Sequence, residues 1–293
     1  MEKIRVIEIG PRDGFQNICD FIPTEVKLET IHKLADAGVK DIMVTSFVSP
    51  KAIPQMRDAR EVAETCVKRW PGVRCSALVP NLRGALDAMA SGVRELTVVI
   101  SVSASHNRAN VNQTHEQSYE NLEKILKECP EANITVDLAT AFGCPFEGYV
   151  RLEQVREMVQ TIYSMGIRSF DLCDTIGVAN PSQVKEYTTA MLREFPEADF
   201  GVHIHDTRNM GMVNTLTAIQ CGIRTVQASV GGLGGCPFAP GASGNTSSED
   251  MVYMLNAMDY DTGIEFDKML EAARYVHTHV KGNYSGHQIN IKQ

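Results

Sequence analysis

His203 and His205 stand two apart in the segment Gly201-Val202-His203-Ile204-His205-Asp206. The segment alternates as a strand does, and in a strand residues i and i+2 point to one face. Both imidazoles then project into one space, which begins a site for a divalent cation that still needs oxygen ligands from elsewhere. A bare His-x-His is equally compatible with one buried, hydrogen-bonded histidine and a chance neighbour. The rest of the chain decides between the two. Asp13, in Gly10-Pro11-Arg12-Asp13-Gly14, supplies a carboxylate, and Asn245 can add a carbonyl oxygen. Two nitrogens and two oxygens with open positions suit Mg2+ or Mn2+ keeping waters for a substrate. A closed zinc site would want thiolates, and none is spaced for it. A second signal is the glycine-dense stretch 231–245, which carries Cys236 between Gly235 and Pro237. A cysteine on such a loop reads as functional rather than as a core residue. The loop lacks the Gly-Lys-Ser/Thr ending of a nucleotide-binding P-loop.

These residues need a scaffold that brings distant segments together. Strand-like runs fall at residues 4–9, 41–47, 73–78, 95–101, 134–139, 169–172, 200–204 and 225–229. Between them lie helical patterns at 25–37, 54–69, 81–92, 115–129, 153–165, from Pro181 onward and 212–221, with two more at 249–258 and 267–279. Alternation of this kind predicts a parallel sheet with helical crossovers. About eight units in a chain of this length fit an α/β fold, a (β/α)8 TIM barrel with additional C-terminal helices. A doubly wound open sheet is the alternative, but the turn after the first strand lacks its glycine fingerprint. No linker or composition shift divides the chain, so residues 1–293 are expected to form a single catalytic domain. In such barrels the chemistry sits at the C-terminal ends of the strands. Polar residues crowd those places: Arg12 to Asn17, Thr45-Ser46, Asn81, Ser103 to Asn107, Asp137, Thr140, Asp174-Thr175 and the histidines.

Composition narrows the partners. The 293 residues are 43% hydrophobic and 22% charged with a net charge of −8, ordinary for a globular protein and unfavourable for nucleic-acid or anionic-membrane binding. No apolar run reaches bilayer length, and the N-terminus shows no secretory or transit pattern. Eight scattered cysteines without a Cys-x-x-Cys pair read as reduced thiols in a cytoplasmic protein.

The motifs Gly10 to Asn17, Thr45 to Lys51, Gly143-Cys144-Pro145, Asp174-Thr175-Ile176-Gly177, His203 to Thr207 and the Cys236 loop together resemble the 3-hydroxy-3-methylglutaryl-CoA lyase family. That family belongs to the metal-dependent TIM-barrel lyases and synthases. The resemblance covers nearly the whole chain, and the loop from Gly232 to Asn245 is particular to the lyase branch. It implies cleavage of an acyl-CoA thioester to acetyl-CoA and a keto acid, acetoacetate for the hydroxymethylglutaryl substrate. It also implies that Asp13, His203, His205 and Asn245 hold the metal, and that Arg12, Asp174, His203 and Cys236 act in catalysis. Relatives imply a homodimer. The base that takes the hydroxyl proton is left among Asp13, His203 and Asp174.

Departures from the family pattern fall around the acyl group. Met43 stands where the family has glutamate. Residues 135–139 read Thr-Val-Asp-Leu-Ala where Arg-Gly-Tyr-Val-Ser is usual, so Asp137 enters and a basic and an aromatic residue are lost. Arg208-Asn209-Met210 replaces Tyr/Phe-Gly-Gln. Cleavage is therefore expected to persist while the acyl group differs. The rivals are a condensing synthase of the same superfamily, which carries extra C-terminal sequence and lacks the cysteine loop, and a non-catalytic barrel that binds CoA or metal. A Schiff-base aldolase would need a lysine inside the barrel, and Lys3 and Lys40 sit at strand starts. Lys51, Arg83 and Arg108 lie where they could meet CoA phosphates.

Overall fold

The computed structural model describes residues 1–235 and 244–291, so Cys236 lies outside the described residues. Eight parallel strands close into a barrel: β1 (Arg5–Glu8), β2 (Asp41–Ser46), β3 (Arg74–Leu78), β4 (Glu95–Ser101), β5 (Asn133–Ala139), β6 (Ser169–Asp174), β7 (Asp199–Ile204) and β8 (Thr225–Ala228). Around them run α1 (Thr24–Asp36), α2 (Ala59–Arg69), α3 (Leu82–Ala90), α4 (Ala104–Val111), α5 (His115–Glu128), α6 (Leu152–Ser164), α7 (Pro181–Glu194), α8 (Gly211–Gln220), α9 (Ser248–Ala257) and α10 (Phe266–His279). The expected barrel, its strand order and the C-terminal helices are all present. Glu2–Lys3 pairs with Tyr260–Asp261, which ties the start of the chain to the segment between α9 and α10. Among the described residues no helix is long and apolar enough to cross a membrane.

Alternation along the strands splits the core in two. Phe200, Val202 and Ile204 of β7, with Phe170 and Leu172 of β6 and Val136 and Leu138 of β5, face outward into the main apolar cluster. Residues of the opposite parity face the barrel axis: Asp137, Asp171, Cys173, Gly201, His203 and Gln227 are all buried or enclosed there. The axis is therefore unusually polar, and its groups must satisfy one another.

Two expectations needed adjustment. Residues 54–69 are a single turn at Pro54–Met56 followed by α2, because Pro54 starts one short turn and Asp58 begins the next. Residues 104–111 form a helix with no apolar stripe to announce it. Ser103 caps it by accepting from the His106 N–H, and buried Asn107 accepts from Ser101 N and donates to Ser118 Oγ. Side-chain hydrogen bonds hold it where hydrophobic spacing does not.

Candidate active site

The turn that follows β1 presents Asp13. The Ile9 carbonyl accepts from the N–H groups of both Arg12 and Asp13, at 3.1 and 2.7 Å, winding residues 10–14 into one tight turn at the barrel mouth. β7 presents His203, and His205 follows at its end. The segment from Gly244 crosses the mouth beside it: Asp206 N donates to Gly244 O, Thr246 Oγ1 to Ile204 O, and Ser229 N to Thr246 O. That crossing places Asn245 over the histidines. Among the described residues, Asp13, His203 and His205 form a cluster whose ligand atoms lie within 4.8 Å of one another. The sequence-predicted metal set thus converges.

Hydrogen-bond polarity shows what the cluster is built for. Gln227 Nε2 donates to Asp171 Oδ2 at 2.8 Å, so its carbonyl faces His203 Nδ1 at 2.7 Å. A carbonyl only accepts, so the ring proton sits on Nδ1 and Nε2 carries a lone pair. That lone pair meets Asn245 Oδ1 at 2.9 Å, while Asn245 Nδ2 is turned to Asp13 Oδ2 at 2.7 Å. His205 Nε2 lies 3.1 Å from His203 Nε2. A nitrogen lone pair facing an oxygen lone pair at this distance is repulsive unless a proton or a metal cation lies between them, and with two neutral imidazoles and a carboxylate these residues fit a divalent cation.

The charges agree. Burial pushes the Asp13 carboxyl up, but the Arg12 guanidinium, then His203 and His205, outweigh it and hold it at about 2. Burial lowers both histidines, His205 to about 4 with help from His203. At neutral pH the site offers one carboxylate and two neutral imidazoles. Arg12 is buried, ion-paired to Asp13, with its Nε directed at Met43 Sδ 2.9 Å away. Thioether sulfur is a weak acceptor, so the guanidinium keeps donor capacity for a bound oxygen.

A cavity of about 460 Å3 opens over this cluster. Arg12, Asp13, Gln16, Asp137, Cys173, Thr175, His203 and His205 supply its polar wall, and Val48, Ile53, Leu78, Pro80, Val99, Val111 and Ala139 its apolar one. Gly235, next to Cys236, borders it.

Asp174 lies outside the cluster of Asp13, His203 and His205. It has the parity of Leu172 and Ile204, and its two carboxylate oxygens accept from Val178 N at 2.9 Å and Ala179 N at 3.0 Å. Burial raises its carboxyl to about 6 against those backbone N–H groups. Arg208 also serves this loop, donating to Ile176 O and Gly177 O. Asp137 and Met43, by contrast, sit at the cavity floor and under Arg12. Arg83 pairs with Asp87 on its own helix. The spacing argument overlooked Gln227 and Asp171. Their one signal is polar residues at inward parity within strands.

The structure meets known proteins at this point. The family model described as HMGL-like matches residues 3–276. The chain belongs to the HMGL-like family. It is similar in sequence to a hydroxymethylglutaryl-CoA lyase of Bacillus subtilis, 44% identical over 94% of this chain and 92% of that one. The mitochondrial hydroxymethylglutaryl-CoA lyase of Homo sapiens is 41% identical over 94% of this chain and 85% of its own length. Among solved structures, the HMG-CoA lyase of Bacillus subtilis superposes with a TM-score of 0.94 at 40% identity, covering 99% of this chain and 97% of that one. An HMG-CoA lyase from Acinetobacter baumannii, in complex with coenzyme A and 3-methylmalate, gives 0.92 at 37% identity, again covering 99% and 97%.

Beneath the site of this HMGL-like chain, Glu8 anchors both the Asp13 turn and the start of the glycine loop. Its Oε1 accepts from Gly10 N and Val230 N at 2.7 and 2.9 Å, and its Oε2 from Ser248 Oγ at 2.6 Å. Burial raises its carboxyl from 4.5 to about 7. Between these values the folded chain holds a proton that the unfolded chain has lost, so this contribution is present below about 4.5 and disappears as pH rises through about 7. The full span is worth roughly 3 kcal/mol. Glu8→Gln removes the titration. Thermal unfolding from pH 5 to 8 should show the variant gaining several degrees on the wild type as pH rises; a constant gap would refute this role.

Proposed function

We propose that the chain is a divalent-metal-dependent acyl-CoA lyase that cleaves 3-hydroxy-3-methylglutaryl-CoA or a related 3-hydroxyacyl-CoA by a retro-Claisen step. The observation that carries this reading is the convergence of Asp13, His203, His205 and Asn245, with Arg12 beside them, at the mouth of a barrel of this family. Asp13, His203, His205 and Asn245 would hold Mg2+ or Mn2+, which would supply a Lewis acid to acidify and position the substrate hydroxyl. Of the three candidate bases only Asp13 and His203 line the cavity; with His203 Nδ1–H held by Gln227 and its Nε2 turned to the cation, Asp13 is left to take the hydroxyl proton. The C2–C3 bond then breaks, C3 becomes a carbonyl, and the electron pair moves onto the thioester as an enolate. Arg12 faces the developing oxyanion with donors that Met43 cannot satisfy. Cys236 returns a proton to C2, releasing acetyl-CoA. Asp174 serves by shaping the loop that carries Thr175 into the cavity.

The acyl group is read by an altered wall. Arg12 is the cavity's one cation among the described residues, and it is committed to Asp13. Asp137 and Ala139 on β5 add an acid and leave room. This supports a 3-hydroxyacyl group other than hydroxymethylglutaryl as the preferred substrate. Lys51 and Arg108, near the rim residues Ser49, Ala52 and Asn112, would meet the CoA phosphates. The seven free cysteines among the described residues suit a reducing cytoplasm, and the family resemblance supports a homodimer.

A product-resolved assay over a panel of hydroxyacyl-CoAs, with and without EDTA, tests the reading. Metal-dependent release of acetyl-CoA from at least one thioester is expected, with Cys236→Ala binding substrate but not turning it over. Full activity on hydroxymethylglutaryl-CoA alone would refute the altered acyl preference. Binding without cleavage of any thioester would leave a non-catalytic barrel.

A further inference from the structure

Below His203 runs a hydrogen-bonded chain that the reaction above does not use. Asp137 and Asp171 are register partners on β5 and β6 and share a hydrogen bond. Asp171 reaches on to Gln227 on β8, two strands away, although β7 lies between them. Gly201 makes that reach feasible. It is the β7 residue level with Asp171, and a Cβ there would fall 2.0 Å from Asp171 Oδ1. Gln227 is in turn level with His203 and accepts from its Nδ1. Every side chain in the chain is buried.

We infer that Asp171 and Gln227 are positioning residues that fix which nitrogen of His203 faces the cation, with Gly201 as the gap through which they meet. A glutamine alone cannot do this, because its amide can turn either end toward the imidazole. Asp171, as a carboxylate, accepts only the NH2 end, and so orients the carbonyl toward His203. The imidazole is then held as the Nδ1–H tautomer, with the Nε2 lone pair aimed at the cluster of Asp13, His205 and Asn245. Buried in this way, neither partner has water to substitute for the other. Outer partners of metal-bound histidines are commonly worth about 10–100-fold in metal affinity.

The inference rests on the metal site proposed above, and two readouts keep the two apart. The first is the imidazole 15N spectrum of the metal-free protein, which needs no variant and no metal. His203 is expected as the Nδ1–H tautomer, and in Asp171→Asn as a mixture or as Nε2–H. The second is Mn2+ affinity followed by electron paramagnetic resonance. Asp171→Asn, which keeps shape and removes the acceptor-only end, should bind Mn2+ about 10-fold or more weakly with unchanged circular dichroism. Asp171→Asn combined with Gln227→Glu should recover most of that loss, because a carboxylate at 227 accepts from Nδ1–H whatever residue 171 does. An Nε2–H tautomer in the wild type would overturn the inference. So would an affinity within twofold of wild type in Asp171→Asn, or a double variant as weak as the single one. Absence of Mn2+ binding in the wild type would instead overturn the metal site, leaving the tautomer to decide the inference.

Discussion

Asp13→Asn should lose about 10^3-fold or more in turnover, and restoring Mn2+ should not repair it. The side chain keeps its shape and its contact with Asn245, but the one full negative charge in the cluster is gone. With both imidazoles neutral, Asp13 is the charge that binds the cation against the adjacent Arg12 guanidinium. Losing the alignment of a Lewis acid removes several kcal/mol of transition-state stabilisation, and about 4 kcal/mol is a thousandfold. Because Asp13 ionises at about 2, the loss should be the same at pH 6 and pH 8. The check pairs steady-state rates with Mn2+ titration, where affinity and kcat should fall together. EDTA treatment of the wild type should reproduce the rate loss reversibly. Turnover within tenfold of wild type, with Mn2+ bound normally, would remove Asp13 from the ligand set.

The barrel and the convergence of Asp13 with His203 and His205 could be read from the sequence because each rests on a short periodic rule. Period-two spacing puts His203 and His205 on one face, and the first turn and the last glycine loop of a closed barrel meet at the same mouth. Asp174 shows where strand spacing stops being informative. The inward residues at the end of β6 are Asp171 and Cys173, so Asp174 turns outward, to the backbone of the loop that follows. Gln227 and Asp171 were missed because their meaning lies two strands apart, across a glycine, and no spacing within one segment encodes it. α4 escaped notice because hydrogen-bonded Ser103 and Asn107, rather than an apolar stripe, hold it. What sequence reads well is local period and strand order; a side chain's choice between two faces at a strand end depends on the neighbouring strands.

Arg12 offers the opposite signature to Asp13. Its guanidinium sits beside Asp13 and near the histidines, where its charge opposes the binding of a second cation. Arg12→Met should therefore bind Mn2+ more tightly than wild type while kcat falls by about 10^2–10^3-fold, the usual loss when one preorganised oxyanion donor is removed. The substituted side chain fills the same volume and meets Met43, so packing changes little. Arg12→Lys should keep metal affinity near wild type and still lose about 10^2-fold in kcat, since a point charge on a flexible stem cannot present two fixed donors to an enolate oxygen. KM should move little in both variants if the donors act on charge that exists only in the transition state. Tighter metal with slower chemistry separates this role from a purely structural ion pair, in which loss of Arg12 would loosen the Asp13 turn and weaken metal and turnover together. Equal loss of both quantities in Arg12→Met would assign Arg12 to that structural role and leave the enolate without its proposed partner.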